Sequence, residues 1–445
     1  MRALSRRAAL LLPLGAAGCS TFSGLFDNAF DPIKPTLKGT REAVSPVQRG
    51  LEIAPGKGGI APVPPSVPMP DWPQVGGNAA HVPGHPAAAA HIVPVWTAST
   101  GEGSGYRQRV TAPPVVAGER VVAMDSDGVV SAFDLATGRR LWRTPTRPPK
   151  DRSTNVGGGV AASVSYVWAA TGRAEVLAMD AATGKVLWRQ PLGAPARSAP
   201  TAADGRLYVT TLDDKLLAFD AGTGAPGWSY SGGSLVQTTL LSASSPAVAD
   251  GFVVAGFSSG DIAAVRVDTG AFVWNDTVAS AYAQTSLVDL ATVNAAPVVD
   301  QGRVFAIGDN GVFVCDDLRS GRRLWERDVS GAQMPWLAGG SLFVVTEEQA
   351  LAALDARDGQ PYWVRALERY HNPAKQTGPV RWAGPLLAGG RLFVVSSDRQ
   401  FAAFQPGNGA LIASVRLPAA VSLPPVTAGG YILVLDDEGT LRAFR

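Results

Sequence analysis

Along most of the chain, apolar residues fall in short blocks divided by Gly, Pro and Thr-Gly turns. Pro200 to Thr211, Pro297 to Gly308, Pro385 to Ser396 and Pro425 to Leu435 share one reading: a proline, a short apolar strand, a glycine turn, then a β-branched or aromatic strand. Arg391-Leu392-Phe393-Val394-Val395 is typical of the last element. Such runs bounded by turn residues mark strands. A second phrase follows each pair, Ala-x-Asp-x-x-Thr-Gly-x-x-x-Trp. It runs from Ala132 through Asp134, Thr137 and Gly138 to Trp142. It returns from Ala178 through Asp180, Thr183 and Gly184 to Trp188, and from Ala218 through Asp220, Thr223 and Gly224 to Trp228. Looser copies end at Trp274, Trp325 and Trp363. A seventh, Ala403-Phe404-Gln405 through Gly409, reaches Ala413 where tryptophan is expected. Successive copies lie 38 to 51 residues apart, the size of one four-stranded propeller blade.

The chemistry of the phrase is structural. The Asp carboxylate accepts hydrogen bonds from turn N–H groups. The Gly supplies the positive φ of a tight hairpin. The Trp offers a flat apolar surface to the neighbouring blade. Trp96 stands 46 residues before Trp142 without a Thr-Gly phrase ahead of it, while the chain stops at Leu441-Arg442-Ala443-Phe444-Arg445, just where one should follow. The two half-repeats complement each other. The strand around Val93 to Trp96 is therefore expected to complete the last blade, begun at Pro425. The fold expected is all-β: an eight-bladed β-propeller of four-stranded antiparallel blades over 71–445, with its last blade closed by the N-terminal strand. Closure of this kind removes free edges between first and last blades.

The first seventy residues read as address and tether. Arg2, Arg6 and Arg7 precede an apolar run, Ala8 to Leu14, and the small residues Gly15 to Gly18. That order is a signal peptide over 1–18, too short in its apolar run to span a bilayer. Ala16-Ala17-Gly18-Cys19 resembles a bacterial lipobox, which implies a lipid on Cys19. The pair Arg6-Arg7 is compatible with twin-arginine export. Residues 19–70 are punctuated by Gly and Pro, as in Pro62-Val63-Pro64-Pro65, and are expected to form a flexible, partly polyproline-like tether.

Charge and composition narrow the function. Without the leader, 36 basic residues face 37 acidic ones, so no basic field points to nucleic acid. No CxxC, CxxCH or HExxH motif occurs, and no metal site or cofactor is expected. Cys315, in an apolar strand pattern, reads as a small buried hydrophobe. Of the four histidines, His81, His85 and His91 share a Pro/Gly/Ala-rich approach segment and, with His371, are expected to be exposed and incidental.

The Asp-x-x-Thr-Gly-x-x-x-Trp repeat, with its staples at Trp96, Trp142, Trp188, Trp228, Trp274, Trp325 and Trp363, resembles the quinoprotein-like propellers with a PQQ-like repeat. The order of lipobox, tether, Trp72-Pro73-Gln74-Val75-Gly76-Gly77-Asn78 and eight repeats is similar to one branch of them, the BamB-like outer-membrane assembly lipoproteins. That resemblance implies a non-enzymatic scaffold with no cofactor, lipid-anchored at the periplasmic face of the outer membrane, a monomer docked on the periplasmic domains of the β-barrel assembly protein. It also implies a binding surface on middle-blade loops. The matching segments are 238–246, with Leu240 and Leu241, and 287–297, with Asp289, Leu290, Thr292 and Asn294. Leu241 stands where the family often has Arg, and Thr292 and Asn294 stand where it has acidic residues. The other branch, the PQQ-dependent dehydrogenases, implies a calcium-binding carboxylate set and often an adjacent Cys pair, which this chain lacks. A cell-wall or carbohydrate-binding propeller is the third reading.

Overall fold

The computed structural model describes residues 50–53, 58–89, 92–106, 108–148, 151, 153–196, 198–232, 244–278 and 292–445. These fold into eight four-stranded antiparallel sheets and one two-stranded hairpin, Tyr370–Asn372 with Thr377–Pro379. Blade 1 is Val115–Ala117, Arg120–Met124, Val129–Asp134 and Arg140–Pro145, and the next six blades repeat that order. The short first strands of neighbouring blades touch one another and face the ring centre. Blade 8 consists of Val426–Ala428, Tyr431–Leu435, Thr440–Phe444 and, as its outermost strand, Pro94–Ser99 from the other end of the chain. The eight-bladed ring with mixed-terminus closure is thus as expected.

The Thr-Gly phrase works through three linked contacts. Asp134 Oδ1 accepts the Thr137 N–H at 2.9 Å and the Thr137 hydroxyl at 2.6 Å. Those bonds hold the Asp134 carboxyl below the usual carboxylate range. Gly138 then turns with φ +71°, and a Cβ there would lie 2.5 Å from Cε3 of Trp96. Glycine is therefore required twice, by its dihedral and by the indole laid on it. The pattern repeats around the ring, with Gly184 on Trp142, Gly224 on Trp188, Gly270 on Trp228, Gly321 on Trp274, Gly359 on Trp325 and Gly409 on Trp363. Each tryptophan follows a bulge against its partner strand, as where the register moves from Ala132↔Trp142 to Phe133↔Arg140. Such a bulge re-aims a side chain, here toward the next blade. The Trp142 indole N–H donates to the Ala181 carbonyl at 2.9 Å, and Trp274 to Leu318 at 2.7 Å. Trp188 departs from this. The carbonyl it would use, Ala221, accepts Trp168 instead at 2.8 Å, and Trp188 Nε1 is left without a partner.

The segment ahead of the first blade differs most from expectation. Residues 58–70, expected within the tether, lie against the propeller: Gly59 N–H donates to Tyr362 and Ala61 N–H to Gly407. From Val67 to Ala87 the chain then follows the inner strands in blade order as a hoop. Met69 O accepts Gly429 of blade 8; Trp72 pairs with Val116 of blade 1; Pro73 O accepts Ala162 of blade 2. Gln74 Oε1 accepts Ala202 of blade 3. Ala79 and Ala80 carbonyls accept Val248 and Val299 of blades 4 and 5, and Pro86 O accepts Gly389 of blade 7. The Trp336 indole of blade 6 donates to Gly84 O at 2.8 Å. The hoop closes on itself where Val67 N–H donates to His85 O and Ala87 N–H to Val67 O. The rings of Trp72 and Trp336, both almost wholly buried, stack 5.8 Å apart inside it.

Two of the histidines expected to be exposed are buried hoop anchors. His81, at φ 61°, donates from Nδ1 to the Pro297 carbonyl at 2.7 Å. His85 donates from Nδ1 to Pro64 O at 2.6 Å and accepts the Gly390 N–H on Nε2 at 2.8 Å. His91 lies outside the described residues; His371 is exposed, 3.1 Å from Asp398. Cys315 is buried without a disulfide, and burial pushes its thiol up to about 12.

Two measurements check the hoop. Trp72→Ala removes a fully buried indole and is expected to cost about 3–5 kcal/mol in equilibrium unfolding. Burial lowers His81 from 6.5 to about 4, so the unfolded chain binds its proton first as pH falls. Stability held by neutral His81 is complete above pH 6.5 and is lost as pH drops toward 4, on the order of 3 kcal/mol from a shift of this size. Melting curves from pH 7 to 4 should show a shallower loss in His81→Asn than in the wild type.

Candidate partner-binding face

A propeller has two ends, and strand order assigns the loops to them. The Thr-Gly turns, the turns between first and second strands, and the hoop share one end. The strand ends from which the blade-to-blade connections leave and return share the other, including Ser231 with Ala247 and Thr277 with Val298, which flank the expected binding loops. Leu240, Leu241, Asp289 and Leu290 lie outside the described residues, as does Cys19. Thr292 and Asn294 are described, and both sit at a loop root rather than a tip.

The roots of the two connections meet. Gly256, at the end of the second strand of blade 4, has no room for a side chain: a Cβ there would lie 2.3 Å from Val293 Cγ1 and 2.8 Å from Ser244 Oγ. Val293 thus comes from the second connection and Ser244 from the first, on either side of one glycine. Each is tied down. Gly256 N–H donates to Ser244 Oγ at 3.2 Å, Thr210 Oγ1 donates to the Ser244 carbonyl at 2.8 Å, and Ser245 Oγ donates to Ala199 O at 2.9 Å. Val293 N–H donates to Phe257 O at 3.2 Å.

Thr292 is buried and pairs with Asp309 as an isolated antiparallel bridge, with N···O distances of 2.8 and 3.2 Å. Asn294 Nδ2 donates to Asp309 Oδ2 at 2.7 Å. Both residues therefore hold the loop base and do not present a free polar surface. Beyond Asp309, Glu347 accepts the Asn310 N–H at 3.1 Å. Burial, reinforced by the Asp309 carboxyl beside it, pushes Glu347 up to about 7. This pair borders a cleft of about 510 Å³ whose other wall includes Arg369, Tyr370 and Arg381. The composition of the loops did not reveal this cluster, since Asp309 and Glu347 are on different blades. Among the described residues no three His, Cys, Asp or Glu side chains converge in a way that could hold a metal ion.

The family model for the outer membrane protein assembly factor BamB matches this chain over residues 93–153, 126–365 and 366–445. The chain belongs to the BamB family. Among curated members, the Yersinia pestis assembly factor is 30% identical over 360 residues, covering 79% of this chain and 88% of that protein. The Burkholderia pseudomallei member is 29% identical over 369 residues, covering 79% and 87%. Among solved structures, BamB from Moraxella catarrhalis aligns with TM-score 0.64 at 17% identity, over 80% of this chain and 98% of that one. The quinohemoprotein alcohol dehydrogenase of Comamonas testosteroni aligns equally well, with TM-score 0.65 at 16% identity over 85% and 81%. At such identities the two alignments establish a shared propeller and do not separate its functions.

Glu347 gives this BamB family member a pH signature at the loop base. Its folded value is raised above the ordinary 4.5, so the folded chain holds that proton more tightly than the unfolded one. The group costs nothing below pH 4.5 and destabilises increasingly as pH rises toward 7. Glu347→Gln should therefore gain melting temperature relative to wild type at pH 8 and none at pH 4, read by thermal denaturation at both pH values.

Proposed function

We propose that this chain is an outer-membrane protein assembly factor acting as a scaffold with no reaction of its own. It is held at the periplasmic face of the outer membrane by a lipid on Cys19. Its docking surface is the end of the ring that carries the connections 238–246 and 287–297, and its partner is the periplasmic part of the β-barrel assembly protein. Family membership across the whole propeller is the observation that carries the reading. Two features support the placement. The roots of both connections converge on Gly256, so their tips start from one rigid base. The hoop occupies the opposite end, which leaves the connection end open to a partner. Leu240 is the apolar anchor of that surface and Asp289 its charge, in keeping with interfaces that centre on a few apolar contacts within a polar rim.

The test is an affinity pull-down from detergent-solubilised envelope with the tagged, lipidated protein and mass spectrometry of the eluate. Wild type is expected to recover the assembly protein. Leu240→Asp combined with Asp289→Arg is expected to cut that recovery at least tenfold while the melting temperature stays unchanged. A wild-type eluate without the assembly protein would overturn the reading; full recovery with the double variant would move the surface elsewhere.

A further inference from the structure

Seven of the eight blade junctions are filled by an indole on a turn glycine; the junction between blades 7 and 8 is not. The residue at the tryptophan position of blade 7 is Ala413, which pairs with Ala403 just after the same bulge. Blade 8 has no Thr-Gly turn to receive an indole, because its third strand, Thr440–Phe444, and its fourth, Pro94–Ser99, are not joined by a turn but come from distant parts of the chain. There, Val93 N–H donates to Arg445 O at 3.1 Å and Arg445 N–H to Val93 O at 2.9 Å. Staple and receiving turn are missing together, and a groove of about 700 Å³ remains.

Its surface is apolar and aromatic. Phe401 lies between Phe393 and Phe444, with ring centroids 5.5 and 5.2 Å away, and Ile412 and Val415 form a wall. Its charged side chains are Arg391, Arg416 and Arg442, and among the described residues no carboxylate lines it. Arg442 is engaged by Asp436 at 2.9 Å, and Arg391 lies over the Phe393 ring. Arg416 is the most solvent-facing of the three, 3.7 Å from Asp398 with its side chain 57% exposed. Arg416 ends the outermost strand of blade 7, Leu411–Arg416, where all six residues are exposed. That strand is the edge of its sheet. An apolar edge strand of this kind is open to pairing with another segment.

We propose that the blade 7–8 groove is a docking site for an extended apolar peptide segment that carries one aromatic side chain and a nearby carboxylate. The segment runs along Leu411–Arg416 and pairs with its free edge, the strand-addition mode of peptide recognition. Its aromatic ring enters the space that a tryptophan fills at the other seven junctions, and its carboxylate meets Arg416. The occupant's chemistry follows from the groove: the chain's own staples define the ring, and Arg416, mostly exposed and only loosely paired with Asp398 at 3.7 Å, is the cation complementary to a negative charge. The site is separate from the connection end proposed above for the assembly protein, so either can fail without the other.

The probe is a fluorescein-labelled nine-residue peptide alternating Thr and Val, with one central Trp and one Glu, titrated by fluorescence anisotropy against the full-length protein. Saturable binding to wild type is expected. Ala413→Trp, which fills the space from within, should weaken it at least tenfold. Val415→Glu, at an exposed position that leaves the core intact, should do the same. Arg416→Glu should weaken binding severalfold and reverse the preference between the Glu peptide and a Lys version. No binding to wild type, unchanged binding in both Ala413→Trp and Val415→Glu, or equal binding of the Glu and Lys peptides would overturn the proposal. So would concentration-dependent dimerisation of the wild type that Ala413→Trp abolishes, which would make a second copy the occupant.

Discussion

Everything in this molecule depends on the contact between an indole and the glycine of the next blade. A four-stranded sheet of this size has two faces and cannot bury both alone, so each blade needs neighbours. The contact sets their spacing. Because a Cβ on Gly184 would come within 2.5 Å of Trp142, the outer halves of blades 1 and 2 are as close as backbone and ring permit. The Asp–Thr bonds inside the turn hold the glycine beneath the indole, and the bulge before each tryptophan points the ring toward it. Turn chemistry, strand irregularity and core packing therefore specify the same geometry, the consistency expected of a well-determined fold.

A ring built from such directional contacts must break its repeat where it closes. The chain meets that constraint in two ways. The strand Pro94–Ser99 joins the sheet of blade 8, and Trp96 staples that blade to Gly138 of blade 1. The hoop then ties the inner strands of all eight blades from one end and fills its own centre with Trp72 and Trp336. The cost of closure falls on the junction between blades 7 and 8, because the pairing of Pro94–Ser99 with Thr440–Phe444 leaves blade 8 without the turn that would receive an indole. Ala413 is then consistent with its surroundings, because a tryptophan there would have no glycine beneath it.

The blades were legible because their contacts recur at a fixed sequence distance, so that Asp, Thr, Gly and Trp repeat in register. Even the closing strand could be read, from two half-phrases at opposite ends. The hoop could not. Its bonds run from His81 to Pro297 and from His85 to Gly390, each made once and without period. Its Pro, Gly and Ala content matches that of a linker, so residues 58–70 read as tether and the histidines as exposed. The two connections at the other end were legible only in part. Their position between blades 3, 4 and 5 follows from the repeat, but the roles of Thr292 and Asn294 depend on Asp309, a residue on the neighbouring hairpin that no local pattern connects to them.

The placement of those two residues decides what their polarity does in the fold. Polar residues in a loop suggest an open contact surface if they point outward. Here Thr292 uses its backbone in a bridge and Asn294 its amide on Asp309, so both rigidify the loop base. An acid at 294 would set a third carboxylate beside Asp309 and Glu347, where burial already raises Glu347, and like charges so close cannot all ionise without strain. Asparagine bonds the Asp309 carboxylate and adds no charge. An amide rather than an acid at 294 therefore fits the packing at the loop base, and a base held in this way has less conformational freedom left to lose.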